Sequence, residues 1–377
     1  MPVKRLPPNP NLDHLKHQAK DLMRARAART ADMAQRIREF HPRFLHSTDA
    51  EIHDAKFLLA DAQLTIARES GYPSWARLKR HIESPTLTDR LDLPHHERIE
   101  DPVFRRAVNL IDSGDAEGLR AWLKQHPRLV HKQIAFEGWN YFHHATLIEF
   151  VAGNPVRHAT MPENIVEVTQ VILDAGPTLA ECEVTLALVA TGSVPQQCRK
   201  QIPLINLLCD HGVDPNTAME ATALHGEFEA LGALIQRGGR ITLPIAVALG
   251  RLEDVRRLLK TADSRERHLA LALAAQYGRV ECARLLLDAG EDPNRFHPIG
   301  GHSHGTPLHH AAGFGNLELV RLLVERGAKL DQKDVLWRST PAEWAEHEGR
   351  TEVAAYLREQ EKRQRHNEVS PPSTIIE

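Results

Sequence analysis

A short segment near the end of the chain is repeated at a fixed interval, and this repetition constrains the fold more than any other feature. The dipeptide Thr306-Pro307 returns 34 residues later as Thr340-Pro341, and Gly315 returns as Gly349. Each copy has the length of two short helices and a loop, which cannot bury an apolar face alone. The interval therefore predicts a solenoid of stacked helical pairs, an architecture that presents binding surfaces more often than reactive pockets.

The local signals within this segment predict where its two helices begin and end. Thr306 is a suitable N-cap, and Pro307 fits the first helical position, where its missing N–H costs nothing. Gly315 predicts the end of the first helix, because glycine adopts the left-handed conformation most easily. A second helix follows with a wide apolar stripe, formed by Leu319, Val320, Leu322 and Leu323.

The segment resembles the ankyrin repeat. The family pattern T-P-L-H-x-A-A is matched by Thr306, Pro307, Leu308, His309, Ala311 and Ala312. The later pattern G-x-x-E-x-V-x-x-L-L is matched by Gly315, Glu318, Val320 and Leu323, with a slightly shifted hydrophobic register. The resemblance implies an all-α ankyrin-type helical solenoid that binds a protein partner through its loops, called fingers, and its inner helix face, without catalysis.

Weaker copies extend the array toward the N-terminus, over residues 101–360. About seven units are predicted, followed by a closing unit, and they begin near Pro102, Ala145, Glu183, Glu220, Pro244, His268, Thr306 and Thr340. The unit at 145–180 carries an insertion, residues 154–164, between its helices. The closing unit has polar side chains where the others are apolar, as a capping repeat requires.

The regions that flank the array follow no such period. Residues 1–83 have helical spacing and predict three or four helices, residues 84–100 predict a linker, and residues 361–377 predict a disordered tail. Residues 59–83 are similar to a helical segment that recurs ahead of ankyrin repeats in bacterial proteins. That resemblance implies a bacterial source and brings no activity with it. Export as an effector stays open as an alternative.

Composition and motifs exclude several classes of function. A net charge of −3 implies no polyelectrolyte partner, and the four cysteines lack C-x-x-C spacing, which indicates reduced thiols and a cytoplasmic location. No apolar run approaches the ~18 residues that span a bilayer. The P-loop, G-x-S-x-G and H-E-x-x-H motifs are absent. We therefore predict no catalytic residue, no cofactor, no small-molecule substrate and no membrane partner.

A histidine-rich stretch offers the main alternative. Five imidazoles fall within residues 297–310, at His297, His302, His304, His309 and His310. Such a density could hold Zn²⁺ or Ni²⁺ and would make the chain a metal-dependent enzyme or a metal sensor. However, the resemblance assigns His309 to an ordinary structural role, and no cysteine or carboxylate is nearby. We prefer a finger that presents polar and aromatic groups to a partner, and we assign no metal ligand.

Two clusters of finger residues are the candidate partner-binding sites. They lie around 137–144 and around 296–304 with 335–339, and tryptophan, tyrosine and arginine are favoured types at interfaces. The alternative is that these aromatic residues cover joints between repeats or fold back on the cap. The candidate residues are Trp139, Tyr141, Phe296, His302, His304, Trp337 and Arg338.

Residues 1–45 are basic, with ten Lys or Arg against four acids. This excess of positive charge could bind nucleic acid, and a gel shift at several salt concentrations would test that binding. We prefer a solvated helical face, because the charges are spread and no recognition motif accompanies them.

Overall fold

The computed structural model describes residues 6, 10–45, 47–83, 91–136, 141–298 and 302–369. The chain divides into two compact units, Met1–Arg240 and Ile241–Glu377. Both are built from helices, so the predicted all-α class is confirmed. Within the described residues, the strands are confined to one small antiparallel pair in the first unit, β1 (Ile134–Ala135) and β2 (His144–Ala145), with Ile134 opposite Ala145.

The first unit opens with a group of five helices that has its own apolar core. Helix α4 contacts α1, α2 and α5, and the buried side chains between them include Leu22, Ile37 and Ile66. The sequence predicts three or four helices here. The shortest of the five described helices, α3, begins with a reciprocal capping box between Thr48 and Glu51. The five helices are α1 (Leu12–Ala27), α2 (Ala31–Phe40), α3 (Asp49–Asp54), α4 (Leu59–Glu69) and α5 (Trp75–Glu83).

The basic side chains of this N-terminal group mostly bond within it. Arg26 donates to backbone carbonyls at the end of α3, Arg36 pairs with Glu69, and Arg38 pairs with Asp49. These bonds connect the helices. They also occupy the guanidinium N–H groups that would otherwise contact the phosphates of a nucleic acid. They support the interpretation of this stretch as a structural and solvated face.

The rest of the first unit consists of helical pairs that stack on each other. In the second pair the first helix is replaced by a 3-10 helix, Leu147–Ala152, whose residues are all buried. The segment predicted as a linker includes a packed part, because Arg98 lies over the Phe136 ring and Ile99 is buried. The α-helices are α6 (Pro102–Ser113), α7 (Ala116–Gln125), α8 (Ile165–Asp174), α9 (Leu179–Ala190), α10 (Ser193–Gln197), α11 (Gln201–Asp210), α12 (Asn216–His225) and α13 (Phe228–Gln236).

The second unit contains the most regular pairs. Its first helices α14, α16, α18 and α20 stack in order, and each packs on the helix that follows it. All four begin within a few residues of the positions that the repeat pattern predicts. The helices are α14 (Leu243–Ala248), α15 (Leu252–Leu258), α16 (Ser264–Gln276), α17 (Val280–Asp288), α18 (Pro307–Phe314), α19 (Leu317–Glu325), α20 (Pro341–His347) and α21 (Thr351–Val369).

The predicted signals place the end of α18 and the apolar face of α19 correctly. Gly315 ends α18 with a φ of +79°, in the left-handed region, and the apolar stripe of α19 is buried. Its four predicted members, Leu319, Val320, Leu322 and Leu323, are at most 3% exposed. The ankyrin-type solenoid predicted from these residues is confirmed in its pairwise stacking.

The last helix continues beyond the predicted end of the array. Helix α21 extends to Val369, into the segment that the sequence assigns to a disordered tail. Arg363 pairs with Glu359 one turn earlier, and such pairs support an exposed helix. Residues 370–377 lie outside the described residues. No helix in the described ranges is long and apolar enough to cross a membrane.

Candidate partner-binding site

The candidate site in the second unit is built from two neighbouring loops. We call residues 296–298 and 302–305 the histidine loop and residues 328–339 the finger loop. The backbone N–H of Val335 in the finger loop donates to the carbonyl of His304 in the histidine loop, at 2.9 Å. Asn294 strengthens this connection, because its side chain accepts from the N–H of Lys329 and donates to the carbonyl of Gly327. The histidine loop and the finger loop, which the sequence assigns to one candidate site, are therefore adjacent.

Asp334 organises the finger loop from within. Its buried carboxylate accepts hydrogen bonds from the backbone N–H groups of Leu336, Trp337 and Ser339 at 2.7–2.8 Å. It also accepts from the indole Nε1 of Trp344 on α20, at 3.0 Å. One side chain thus fixes the turn that carries Trp337 and anchors it to the capping helix.

The histidine loop folds over the start of α18. The N–H of His297 donates to the carbonyl of Gly305 at 2.9 Å, which closes the loop. The ring of His310 then lies beneath it, stacked on His297 with 4.2 Å between ring centres. A Cβ added at Gly305 would be 3.0 Å from Nε2 of His310, so a larger residue there would crowd the ring.

Aromatic contacts join the two loops into one cluster. The ring of His304 lies 5.3 Å from Trp337 and 5.6 Å from Trp344, centre to centre. Trp337 and Trp344 meet edge to face at 5.5 Å, a favoured geometry for aromatic pairs. His310 contacts Trp344 as well, at 5.4 Å. The cluster combines loop residues with residues of α18 and α20.

The buried histidines of this cluster are neutral. Burial lowers the pKa of His310 to about 3 and the pKa of His309 to about 4, and it also lowers the pKa of His304. His309 uses both ring nitrogens, because Nε2 donates to the carbonyl of Ser339 while Nδ1 faces Thr306. That arrangement gives His309 the structural role that the family resemblance implies.

The exposed part of the site carries apolar and charged groups side by side. Trp337 is 64% exposed and Leu336 is 47% exposed, although both belong to an ordered turn. His302 and Arg338 are also exposed, and both have left-handed backbones with φ values of +59° and +60°. Such conformations are strained for residues other than glycine and are concentrated at functional sites. Three of the predicted residues of the second cluster, His302, Trp337 and Arg338, are therefore exposed.

Two other predicted residues have different surroundings. Phe296 is partly buried, and its carbonyl accepts from Nε2 of His268 at 2.8 Å. In the first unit, Tyr141 is 60% exposed and its hydroxyl donates to Asn154 at 2.7 Å. Its neighbour Phe142 is fully buried. This burial agrees with the alternative that aromatic residues here cover a joint between two repeats. Trp139 lies outside the described residues.

The sequence missed two residues that shape the site, Asp334 and Trp344. Trp344 stands 34 residues after His310, so the repeat interval places both in the same register. That offset was a usable signal, because equivalent positions in stacked first helices are neighbours. The sequence does not single out Asp334, because an acidic residue in a loop is ordinarily exposed to solvent.

The first unit holds a separate cavity beside the insertion at 154–164. Its volume is about 320 Å³, and its walls include Ser113, Phe150 and Met161. Arg157 from the insertion is buried there, with both terminal nitrogens on the carboxylate of Asp112 at 2.7–2.8 Å. The insertion is thus an ordered part of the repeat.

Comparison with known proteins agrees with this architecture. A family model described as ankyrin repeats (many copies) matches residues 271–324. Cyclin-dependent kinase 4 inhibitor B of Bos taurus is 34% identical, over 23% of this chain and 88% of its own length. Cyclin-dependent kinase inhibitor 2A of Homo sapiens is 36% identical, over 31% of this chain and 74% of its own length. Ankyrin repeat and SAM domain-containing protein 6 of Mus musculus is 34% identical, over 25% of this chain and 10% of its own length.

Proposed function

We propose that this chain, which belongs to the ankyrin-repeat family, binds a partner protein through its fingers and the inner faces of its first helices. The observation that carries the proposal is the exposure of Trp337 on a turn held in place by Asp334. A large aromatic side chain that is ordered before binding loses little conformational entropy on contact, which is why tryptophan is common at binding hot spots.

The surroundings of Trp337 favour a protein partner. Leu336 and Phe314 add exposed apolar area, while His302 and Arg338 add polar groups. Apolar anchors with a polar rim are typical of protein interfaces. Two of the similar proteins are named as inhibitors of cyclin-dependent kinases, and an inhibitor acts by binding, which supports a binding function without catalysis here.

The partner remains to be identified. The similarity to those inhibitors covers 23% and 31% of this chain, so their named targets do not carry over. We propose no small-molecule substrate, cofactor, nucleic acid or membrane as the partner, and we place the chain in the bacterial cytoplasm.

We also propose the domain division that the sequence predicts. It consists of a helical region at 1–83, a linker at 84–100, the repeat array at 101–360 and a tail at 361–377. The first unit is proposed to contribute a second patch around 137–144, with Tyr141 exposed in it.

An affinity-capture experiment tests the main patch. The full chain is used as bait in a lysate, and each captured protein is then purified and titrated against the native chain and against Trp337→Ala. We expect the substitution to weaken binding at least tenfold, because a hot-spot truncation costs about 2 kcal/mol or more.

Leu179→Ala is the matched control, since Leu179 is 53% exposed in the first unit and belongs to neither finger cluster. It should leave the affinity unchanged. If Trp337→Ala and His302→Ala both bind the captured partner as tightly as the native chain, the proposed surface is wrong.

A further inference from the structure

The ring of His310 is enclosed between α18, α20 and the histidine loop. His310 is 5% exposed, and its ring centre lies 4.2 Å from that of His297 and 5.7 Å from that of His302. The ring also bonds to the backbone of His302. Helix α20 contributes the uncharged ring of Trp344, at 5.4 Å. The histidine loop therefore rests on a buried imidazole that belongs to α18.

One nitrogen of this ring has no room for a proton. Nε2 of His310 is buried and makes no hydrogen bond within the described part of the chain. It faces Gly305, where an added Cβ would be only 3.0 Å away. A proton on Nε2 would create a buried N–H donor and a buried charge without an acceptor, and both are costly.

The titratable groups around His310 do not offset this cost. The rings of His302, His304 and His309 face it and disfavour a positive charge on it, and together with burial they lower the pKa of His310 to about 3. The carboxylate of Asp334 acts on His304 and His309, and it already accepts hydrogen bonds from the finger loop and from α20. The closed arrangement therefore requires a neutral His310.

The same part of the histidine loop also holds the finger loop. The carbonyl of His304 accepts from the N–H of Val335 at 2.9 Å, two residues before Trp337. If residues 302–305 move away from α18, this acceptor moves with them. The proton that His310 cannot accommodate is thus connected, through one loop segment, to the turn that displays Trp337.

We propose that His310 is an acid-sensitive contact that controls the order of the Trp337 turn. In mild acid its ring takes up a proton, residues 302–305 separate from α18, and the N–H of Val335 loses its acceptor. At neutral pH the ring is neutral and the turn stays in place. The consequence for binding rests on the function proposed above: a partner docked on Trp337 would bind less tightly in mild acid.

The size of the effect follows from the ordinary pKa of histidine. A ring that is released into solvent titrates near about 6.5. At about pH 5.5 it is protonated roughly ten times more often than not, which raises the population of the separated state by about tenfold relative to about pH 7.5. Burial also lowers the pKa of His304, so its release acts in the same direction.

Hydrogen exchange of the Val335 amide measures this population without a partner. The full chain is isotope-labelled at valine, and exchange is followed by nuclear magnetic resonance and corrected for the intrinsic effect of pH. We expect the protection of Val335 to fall about tenfold or more between about pH 7.5 and about pH 5.5. The N–H of Val320, which donates to the carbonyl of Asn316 at 2.9 Å within α19, should stay better protected, because the separation is local.

His310→Phe and His310→Gln both replace the ring with a group that takes up no proton. In both variants the fall in the protection of Val335 should be about ten times smaller than in the native chain. His347→Gln is the control, because His347 is exposed on α20, and it should keep the native dependence on pH.

The proposal is overturned if the protection of Val335 in the native chain changes by less than about threefold over this range. It is equally overturned if both His310 variants keep the native dependence on pH. Equal protection of Val335 and Val320 in mild acid would also overturn it, since the whole unit would then unfold together. None of these results bears on the capture of a partner by Trp337 at neutral pH.

Discussion

Asp334 controls the geometry of the exposed residues around it. Its carboxylate accepts from three backbone N–H groups of the finger loop and from the indole of Trp344. A buried carboxylate is tolerated only when its acceptor positions are filled in this way. The turn that displays Trp337 therefore depends on a residue that a partner would never touch.

We expect Asp334→Ala to lower the free energy of unfolding by about 3 kcal/mol, because it leaves several buried donors without an acceptor. Chemical denaturation followed by tryptophan fluorescence measures the change. Asp334→Asn is the control and should cost less, since its amide oxygen still accepts from part of the turn. Equal stability of the alanine variant and the native chain would contradict the role assigned to Asp334.

The neutral histidines predict a dependence of stability on pH. The pKa of His310 is about 3 and that of His309 about 4 in the folded chain, against an ordinary value of 6.5. The unfolded chain therefore binds more protons below pH 6.5, and stability falls as the pH is lowered from there toward pH 3. Denaturation midpoints measured between pH 8 and pH 5 should stay nearly constant above about pH 7 and decrease below it.

His310→Phe removes one of the buried rings with a lowered pKa and keeps an aromatic shape. Its denaturation midpoint should change less steeply with pH than that of the native chain. If the denaturation midpoints of the two proteins change equally with pH, His310 does not contribute to the pH dependence of stability.

At the scale of helices, the ends are set by local chemistry that the sequence displays. Thr340 caps α20 by a reciprocal pair with Glu343, and Gly315 ends α18 with a left-handed backbone. The same logic failed for the first helix of the second repeat, which is a short 3-10 helix before the insertion. Thr146 and Glu149 form a reciprocal cap at its start, and a left-handed Gly153 ends it, so its cap signals do not distinguish it from an α-helix.

Two glycines provide a matched test of helix termination. Gly315 and Gly327 have φ values of +79° and +85°, so alanine is strained at both positions by about 1 kcal/mol. At Gly315 an added Cβ would also lie 2.8 Å from Cδ of Arg350, whereas at Gly327 nothing lies within 4 Å. We expect Gly315→Ala to destabilise the chain more than Gly327→Ala, as measured by chemical denaturation. The reverse order would contradict the crowding at Arg350.

At the scale of the whole molecule, the helical pairs contact mainly their neighbours, both in the second unit and in the part of the first unit that follows its N-terminal group of helices. The last pair, α20 and α21, covers α18 and α19 and buries Ala345, Val353 and Leu357 against them. Its outer face carries charged residues such as Glu346 and Arg358, which pair with each other. A terminal pair of this kind keeps the apolar faces of a repeat array away from solvent.

We expect a chain that ends at Ser339 to associate or precipitate, because the buried faces of α18 and α19 become exposed to solvent. Analytical ultracentrifugation measures the state of association. A chain that ends at Val369 is the control and should behave like the full chain. If the shorter variant has the same sedimentation as the control, α20 and α21 do not act as a cap.

The sequence by itself determined the repeat. Thr-Pro pairs, helix-ending glycines and apolar stripes are local signals, and they predicted the stacked helical pairs because each depends on residues within one turn or one helix. The approximate location of the candidate site followed from the same pattern, since Trp337, Arg338 and the histidines interrupt it.

Tertiary structure decided what those residues do together. The contact of His304 with Trp337, the hydrogen bond of Trp344 to Asp334 and the proximity of the His302, His304 and His310 rings all join residues from different loops and helices. Their distances depend on how two loops pack over α18 and α20. The spacing of residues along the chain cannot supply such distances, because non-local packing fixes them.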